Sequence, residues 1–135
     1  MVKVTSKTVS INRQAEEIFQ VVGNFNSFNG MMPEQVEDLK TTTDTCSFKI
    51  KGLTNFGMKI TQRTPFSNIH IENDDTIPMP VKFSFEWNLT PAGNATEVNA
   101  AFEVDVNFMM GGMIKKPLQN FADALVTALK TKMDA

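Results

Sequence analysis

Apolar and polar residues alternate along the middle of the chain. From Val36 to Phe108 the period is two, which is typical of antiparallel strands that bury one face. The pattern is strongest where five apolar residues fall on a single face: Val81, Phe83, Phe85, Trp87 and Leu89. A last strand from about Thr96 to Phe108 repeats it. The alternation therefore predicts an antiparallel sheet with one dry face and one wet face.

Helical spacing flanks this region on the N-terminal side. Residues 2–11 have the composition of a first strand, and Asn12 is a candidate N-cap for an amphipathic helix that stops at Gly23-Asn24. The aromatic and methionine residues that follow, Phe25, Phe28, Met31 and Met32, indicate a second short helix ending before Pro33. Two short helices are thus predicted between the first and second strands.

A one-faced helix is predicted at the C-terminal end of the sequence. After Gly111-Gly112, its apolar stripe consists of Ile114, Leu118, Phe121, Leu125 and Leu129. Pro117 suits only the first turn of a helix, so the regular part is expected to start at Ile114 or slightly later.

Composition is typical of an ordinary globular protein and argues against nucleic acid and the membrane interior as partners. The 135 residues are 41% hydrophobic and 21% charged, which fits one ordered domain spanning residues 1–135. The net charge of −2 provides no positive field for nucleic acid. The single cysteine, Cys46, and an N-terminal segment without an uninterrupted apolar stretch favour a reducing, cytoplasmic setting. No apolar run is long enough for stable membrane insertion.

Three segments resemble the START and polyketide-cyclase-like (SRPBCC) superfamily. They are Ile11 to Phe19 continuing to Asn24-Phe25 and Pro33, Leu89-Thr90-Pro91 through Thr96-Glu97-Val98, and Gly111-Gly112-Met113 leading into Leu118. Members often carry Pro, Asp and Trp where this chain has Gln14, Asn24 and Met32, so no subfamily is indicated. The resemblance implies an α+β helix-grip fold, in which a seven-stranded curved antiparallel sheet wraps around the long C-terminal helix.

Such a fold encloses space between the concave sheet face and the helix, and apolar enclosures of this kind are common small-molecule sites. The turns predicted at one end, Gly52–Gly57 and Asp74–Pro80, and the helix entry at Gly111-Gly112 carry apolar residues and are expected to form a mouth. The predicted ligand-binding residues are Phe48, Ile50, Phe56, Met58, Ile60, Ile69, Ile71, Met79, Phe83, Phe85, Trp87, Phe102, Val104, Met110, Ile114, Leu118, Phe121 and Leu125. The alternative is that the large aromatic side chains simply fill the interior.

Catalytic and metal-binding candidates are few. Alternation turns His70 toward solvent and Cys46 toward the core, and the adjacent Asp74-Asp75 lack the spaced oxygens of a calcium loop. Lys115-Lys116 could hold an anionic ligand head near a helix N-terminus, although a solvated pair is the simpler reading. No catalytic residue, metal or cofactor is therefore predicted.

The sequence favours a binding or carrier protein for a hydrophobic small molecule of the lipid, isoprenoid or aromatic polyketide type. A cyclase or dehydratase would need an acid or base inside the cavity, and alternation turns only Gln62, Thr64 and Thr96 inward, with Asn120 and Asp123 beside the stripe of the last helix. The chain contains no tyrosine. A third possibility is a protein-interaction module with a filled core, which an exposed apolar patch on the outer sheet face or the first helix would favour.

Overall fold

The computed structural model describes residues 2–29, 32, 34, 36–50, 55–74, 82–105 and 108–134; of Val2, Ile50 and residues 108–114 it describes the backbone alone. The elements within these ranges are β1 (Val2–Thr5), β2 (Val9–Ile11), α1 (Ala15–Val22), the 3-10 helix η1 (Phe25–Phe28), β3 (Val36–Thr41), β4 (Thr45–Ile50), β5 (Asn55–Thr64), β6 (Asn68–Asn73), β7 (Lys82–Ala92), β8 (Ala95–Asp105) and α2 (Phe108–Asp134).

The strands form one antiparallel sheet in the order β1-β8-β7-β6-β5-β4-β3, and β2 also pairs with β8. Successive strands from β3 to β8 are neighbours, as expected when chain segments of alternating pattern are joined by short turns. The sheet is curved and unclosed, and α2 packs against it. The predicted α+β architecture is confirmed, with α1 and η1 between the first and the later strands.

The sheet has eight strands where seven were predicted, because the first strand is interrupted at Ser6. The backbone N–H of Ser6 donates to the Ala100 carbonyl at 2.8 Å. The Ser6 hydroxyl in turn accepts a hydrogen bond from the Ala100 N–H at 2.9 Å. One buried side chain thus replaces ladder hydrogen bonds at the break, and β1 and β2 both continue along β8.

Helix α1 begins later than the sequence suggested. Its N-cap is Gln14, not Asn12, and the Gln14 N–H donates to the Glu17 carboxylate at 3.3 Å. The helix ends as predicted at Gly23, whose N–H donates to the Phe19 carbonyl at 2.9 Å. A side chain is poorly tolerated at Gly23, since a Cβ there would lie 2.9 Å from the Phe19 carbonyl oxygen.

Strands β7 and β8 carry the alternation that the sequence predicted. Phe83, Phe85, Trp87 and Leu89 are buried, whereas the residues between them are partly exposed. Their partners across β8 are also apolar, as in the pair Phe85 and Phe102. These strands form the centre of the core, since burial of each large apolar side chain contributes about 1.5–3 kcal/mol.

The strand β3 forms one edge of the sheet and is bulged. Its register against β4 shifts between Glu37 and Lys40, and Asp38 lies between them with φ 55°. Asp tolerates this left-handed conformation better than most residues because its short side chain can bond locally. The bulge interrupts the ladder in the middle of the edge strand.

Helix α2 is longer than predicted, because it begins at Phe108 and contains both Gly111-Gly112 and Pro117 in its interior. The expectation that Pro117 marks the first turn was wrong. The buried face of α2 consists of Leu118, Phe121, Ala122, Leu125, Val126 and Leu129. No described helix combines the length and apolar character needed to cross a bilayer.

Polar contacts fix α2 to the N-terminal strands. The Lys7 N–H donates to the Asp123 carboxylate at 2.8 Å, and the Asn12 N–H donates to the Asp134 carboxylate at 3.0 Å. Lys130 donates to the Ser10 carbonyl at 2.5 Å and to the other Asp134 oxygen at 2.7 Å. These contacts hold the apolar face of the helix against the concave side of the sheet.

Candidate functional site

A continuous chain of nine aromatic rings runs through the space between the sheet and α2. Neighbouring ring centroids along it are 4.4–6.1 Å apart, the spacing of interacting aromatic pairs. In order, the rings are Phe83, Phe56, Phe48, Phe121, Phe102, Phe85, Trp87, Phe28 and Phe25. The interior is therefore apolar from the β6–β7 end of the sheet to η1.

Most residues of the predicted binding set converge on this interior. Those that are buried together in one core cluster are Phe48, Phe56, Met58, Ile69, Ile71, Phe83, Phe85, Trp87, Phe102, Val104, Leu118, Phe121 and Leu125. Ile60 is partly buried against the cluster. Met79 lies outside the described residues, as do the side chains of Ile50, Met110 and Ile114.

The predicted mouth falls largely outside the described part of the chain, which leaves out residues 51–54 and 75–81. Phe56, from the first of the predicted turns, is described, and the structure places it within β5 instead of in a turn. Its ring is buried and stacks on Phe48 with centroids 5.7 Å apart. Phe56 thus belongs to the core of the sheet.

An interior space among the described residues lies beside η1. The residues around it are Phe25, Phe28, Met32, Cys46, Met58, Ile71, Phe85, Trp87, Phe121 and Leu125. Its volume is about 10 Å³, enough for about one water molecule. Ligand sites typically measure roughly 300–1,000 Å³, so a ligand that occupies this space must displace the side chains around it.

Four of these residues were missing from the predicted site. Phe25, Phe28 and Met32 come from the segment between α1 and β3, and Cys46 comes from β4. The i, i+3 spacing of Phe25 and Phe28 is the sequence signal that could have revealed two of them, since it places both rings on one side of a helical turn. Sequence reasoning treated that segment as a connection and not as a wall of the interior.

The Cys46 thiol is the ionisable group of this lining. Burial raises the pKa of Cys46 to about 12, because an apolar environment disfavours the thiolate. Its cross-strand neighbours are Met58 and Thr41, and neither offers a base. The thiol is consequently neutral at physiological pH and behaves as a small apolar side chain, as the sequence suggested.

Polar side chains are scarce in the described core. Ser6 and Thr96 are buried, and both bond the backbone, Thr96 by donating to the Arg13 carbonyl at 2.9 Å. Asp123 accepts from the Lys7 N–H as described above, and Asn120 is exposed. No cluster of His, Cys, Asp or Glu suitable for a metal ion occurs among the described residues.

Strand β5 corrects one part of the predicted alternation. A bulge between Ile60 and Gln62 shifts the register, so that Gln62 pairs with His70 and Arg63 pairs with the buried Ile69. The inward orientation expected for Gln62 and Thr64 was therefore wrong, and both are exposed. The extra residue transfers every following side chain to the other face of the strand.

Arg63 lies on the inner face of β5 as a result of the bulge, and its guanidinium bridges two segments near η1. Its Nε and Nη2 donate to the Gly23 carbonyl at 3.2 and 2.8 Å. Nη2 also lies 2.5 Å from the Asp44 carboxylate. The guanidinium thus links the C-terminus of α1 to the β3–β4 turn, and the Phe25 N–H adds a bond to the Thr43 carbonyl in that turn at 3.1 Å.

The other charged candidates lie outside the interior. His70 is on the outer sheet face, where its ring nitrogens are 3.7 Å from Glu72 and 3.9 Å from Glu86. Lys115 and Lys116 are both exposed. Because α2 starts at Phe108, these lysines lie inside the helix and not at its N-terminus, in agreement with the solvated pair that was the simpler reading.

A wider cleft among the described residues lies at the outer face of the sheet and reaches the aromatic chain at Phe83. It measures about 420 Å³ and is lined by Lys59, Glu72, Asn73, Lys82, Phe83, Ser84, Glu103 and Asp105. Its charges alternate in sign across neighbouring strands, as in the pairs Lys59–Glu72 and Lys82–Asp105. Cross-strand pairs of this type stabilise an exposed sheet face and need no ligand to explain them.

Comparison with protein families gives a match over almost the whole chain. A family model described as polyketide cyclase / dehydrase and lipid transport matches residues 1–134. Among curated proteins, none matches this sequence.

Solved structures share the fold at low sequence identity. A START superfamily protein from Mycobacterium smegmatis is 18% identical, with a TM-score of 0.74 and coverage of 98% of this chain and 97% of that one. The protein XoxI from Bacillus cereus is 14% identical, with a TM-score of 0.75 and coverage of 98% and 96%. TTHA0849 from Thermus thermophilus is 12% identical, with a TM-score of 0.75 and coverage of 97% and 96%. At these identities the likeness concerns the fold.

Proposed function

The chain belongs to the polyketide cyclase / dehydrase and lipid transport family, and from this premise we propose that it binds or carries a hydrophobic small molecule. The proposed ligand is of the lipid, isoprenoid or aromatic polyketide type, and its site is the interior between the sheet and α2. The buried, unpaired Cys46 supports placing this activity in a reducing, cytoplasmic compartment.

The observation that carries the proposal is the chain of aromatic rings enclosed between the sheet and α2. An apolar ligand that enters this space gains roughly 25 cal/mol for each Å² that it removes from water. The small residual volume requires side chains to move aside, and Met32 and Met58 line it. Methionine has flexible rotamers and repacks at low cost, so the lining can adapt to an occupant.

The described interior favours binding over cyclase or dehydratase chemistry. General acid–base catalysis needs a titratable group within hydrogen-bond reach of the substrate. The Cys46 thiol is neutral, and the hydroxyls of Ser6 and Thr96 are engaged with the backbone. His70 is separated from the interior by the sheet itself.

The proposal is tested by lipid extraction and native mass spectrometry of protein purified from cells, followed by titration with the compounds found. Binding is followed by the fluorescence of Trp87, since the chain has one tryptophan and no tyrosine. We expect Phe85→Leu, which alters the interior, to weaken binding. Phe66→Leu, the same change at an exposed ring, should not. A protein that yields no apolar molecule and binds none of the added lipids, isoprenoids or aromatic polyketides contradicts the proposal.

A second candidate, a protein-interaction module, is favoured by one observation. Phe66 is 46% exposed and has a φ of 63°, a conformation that is an outlier for a bulky side chain. Its ring contacts Phe19 of α1 edge-on, with centroids 5.6 Å apart. Phe66 in the β5–β6 turn and Phe19 of the first helix thus form a partly exposed aromatic pair, an apolar surface feature of the kind expected of such a module.

Site-specific crosslinking distinguishes this second candidate. A photoreactive phenylalanine analogue at position 66 should capture one defined partner in cells, whereas the same analogue at the exposed turn residue Asn94 should not. Equal capture profiles at the two positions would remove the interaction hypothesis and leave the binding proposal intact.

A further inference from the structure

Two rings of the aromatic chain, Phe25 and Phe28, are carried by η1, and Phe28 is the one that stacks on Trp87. Phe28, the last residue of η1, lies almost parallel to Trp87, with an interplanar angle of 9° and centroids 6.1 Å apart. Both rings line the small interior space. Trp87 belongs to the central strand β7, whereas Phe28 is carried by a four-residue 3-10 helix. The Trp87 ring is therefore anchored by the sheet, whereas the Phe28 ring is anchored by a single short helix.

The side-chain hydrogen bonds that hold η1 lie at the surface, and the Phe25 N–H adds one backbone bond to the Thr43 carbonyl at 3.1 Å. The Thr41 hydroxyl donates to the Asn26 side-chain oxygen at 2.8 Å and accepts from the Asn29 amide at 2.9 Å. Lys132 donates to the Ser27 carbonyl at 2.9 Å. Exposed hydrogen bonds exchange readily with water and contribute little net stability each. Short 3-10 helices also have poorer hydrogen-bond geometry than α-helices.

We infer that Phe28 is an internal plug: its ring occupies, on the face of Trp87, the place that a planar aromatic ring of the ligand takes when η1 moves away. The inference rests on the proposed function and adds to it a ligand class and two specificity-determining residues. A planar ring regains the stacking that Phe28 gives up, whereas a saturated ring of the same size fills the volume without that interaction. No other lining residue on the described elements combines a stacked ring with such a short support.

The probes are naphthalene and trans-decalin, which are similar in size but differ in planarity, with Trp87 fluorescence as the readout. The Thr41→Val variant removes the hydroxyl that bonds Asn26 and Asn29. Thr41 pairs across the strands with Cys46 but is not itself among the residues around the interior space. Its matched control is Thr42→Val at the next residue, in the β3–β4 turn, where the hydroxyl lies 2.6 Å from that of Thr45 and not against η1. A second pair compares Phe28→Ala with Phe102→Ala, since the Phe102 ring contacts Phe85 and Phe121 and not Trp87.

Thr41→Val should bind naphthalene several-fold more tightly than the native protein, because apparent affinity rises with the population of the open form. Phe28→Ala should gain about tenfold for naphthalene, and clearly less for trans-decalin. Thr42→Val should match the native protein. Phe102→Ala should show no preference for the planar probe.

Two results overturn the inference. One is equal naphthalene affinity of Thr41→Val, Thr42→Val and the native protein. This result overturns the inference even if Phe28→Ala does not fold. The other is an equal gain for both probes in a folded Phe28→Ala. Either result, in a native protein that still binds apolar ligands, leaves the proposed function standing. Failure of the native protein and every variant to bind any apolar compound contradicts the proposed function as well.

Discussion

Replacing Arg63 by methionine should lower the free energy of unfolding by about 2 kcal/mol. The change keeps an unbranched side chain of comparable length and removes the guanidinium. Both hydrogen bonds to the Gly23 carbonyl disappear, and hydrogen bonds from a charged group are worth about 1.5–3 kcal/mol. The lower half of that range applies, because 37% of the Arg63 side chain is exposed.

The ion pair with Asp44 adds little to this value. Asp44 is largely exposed, and exposed ion pairs contribute about 0.2–1 kcal/mol. Asp44→Asn should therefore cost less than Arg63→Met. Arg63→Lys, which keeps the charge but loses the two-pronged donor, should fall between them.

Urea unfolding followed by Trp87 fluorescence measures these differences. With a slope of about 1.5 kcal/mol per molar urea, 2 kcal/mol moves the midpoint by about 1.3 M. An Arg63 that pointed into solvent, as simple alternation would have it, would contribute within about 0.5 kcal/mol. If Arg63→Met lowers stability by no more than about 0.5 kcal/mol, or if Asp44→Asn shifts the midpoint equally, then Arg63 does not bridge Gly23 and Asp44 as described.

Three further predictions concern single side chains. Since burial raises the pKa of Cys46 to about 12, a disulfide reagent at pH 8 should modify the folded protein about 1,000-fold more slowly than the urea-unfolded chain; comparable rates would contradict the burial. The hydrogen bond from Lys130 lowers the pKa of Asp134, so the ionised carboxylate stabilises the fold above its unfolded pKa, and this contribution is lost as pH falls. Asp134→Asn should therefore be less stable than the native protein at pH 7, and the difference in stability should vanish in acid. Phe66→Asn should unfold within about 0.5 kcal/mol of the native protein, because relief of the left-handed backbone offsets the lost ring contact, whereas Phe66→Val should lose about 2 kcal/mol in calorimetry.

Period-two alternation predicted the sheet because its central strands have one apolar face and one polar face. Phe83, Phe85 and Trp87 alternate with polar residues, and the structure buries them as expected. The same reasoning failed in β5, where the bulge adds one residue among polar neighbours. Thr61 and Gln62 are both hydrophilic, so nothing in the pattern marks the position at which the faces exchange.

The interior volume could not be predicted from the sequence. Alternation shows which side chains point inward but not how closely their rings interdigitate, since that depends on sheet curvature and on rotamers. Phe28 illustrates the difference, because its burial requires η1 to fold back over Trp87. The start of α2 was misplaced for a related reason: Pro117 is accommodated inside a helix whose other face is held by Leu118 and Phe121, and tertiary packing overrode local propensity.

The bulge at Asp38 also governs how this protein meets its own copies. The unpaired side of β3 presents N–H and C=O groups, and an uninterrupted row of such groups would accept a strand from another molecule. With the ladder broken between Glu37 and Lys40, an incoming strand finds only short, misaligned stretches of backbone. The bulge therefore disfavours edge-to-edge pairing of two sheets through β3. Concentrated solutions of the folded protein should form no fibrils through this edge.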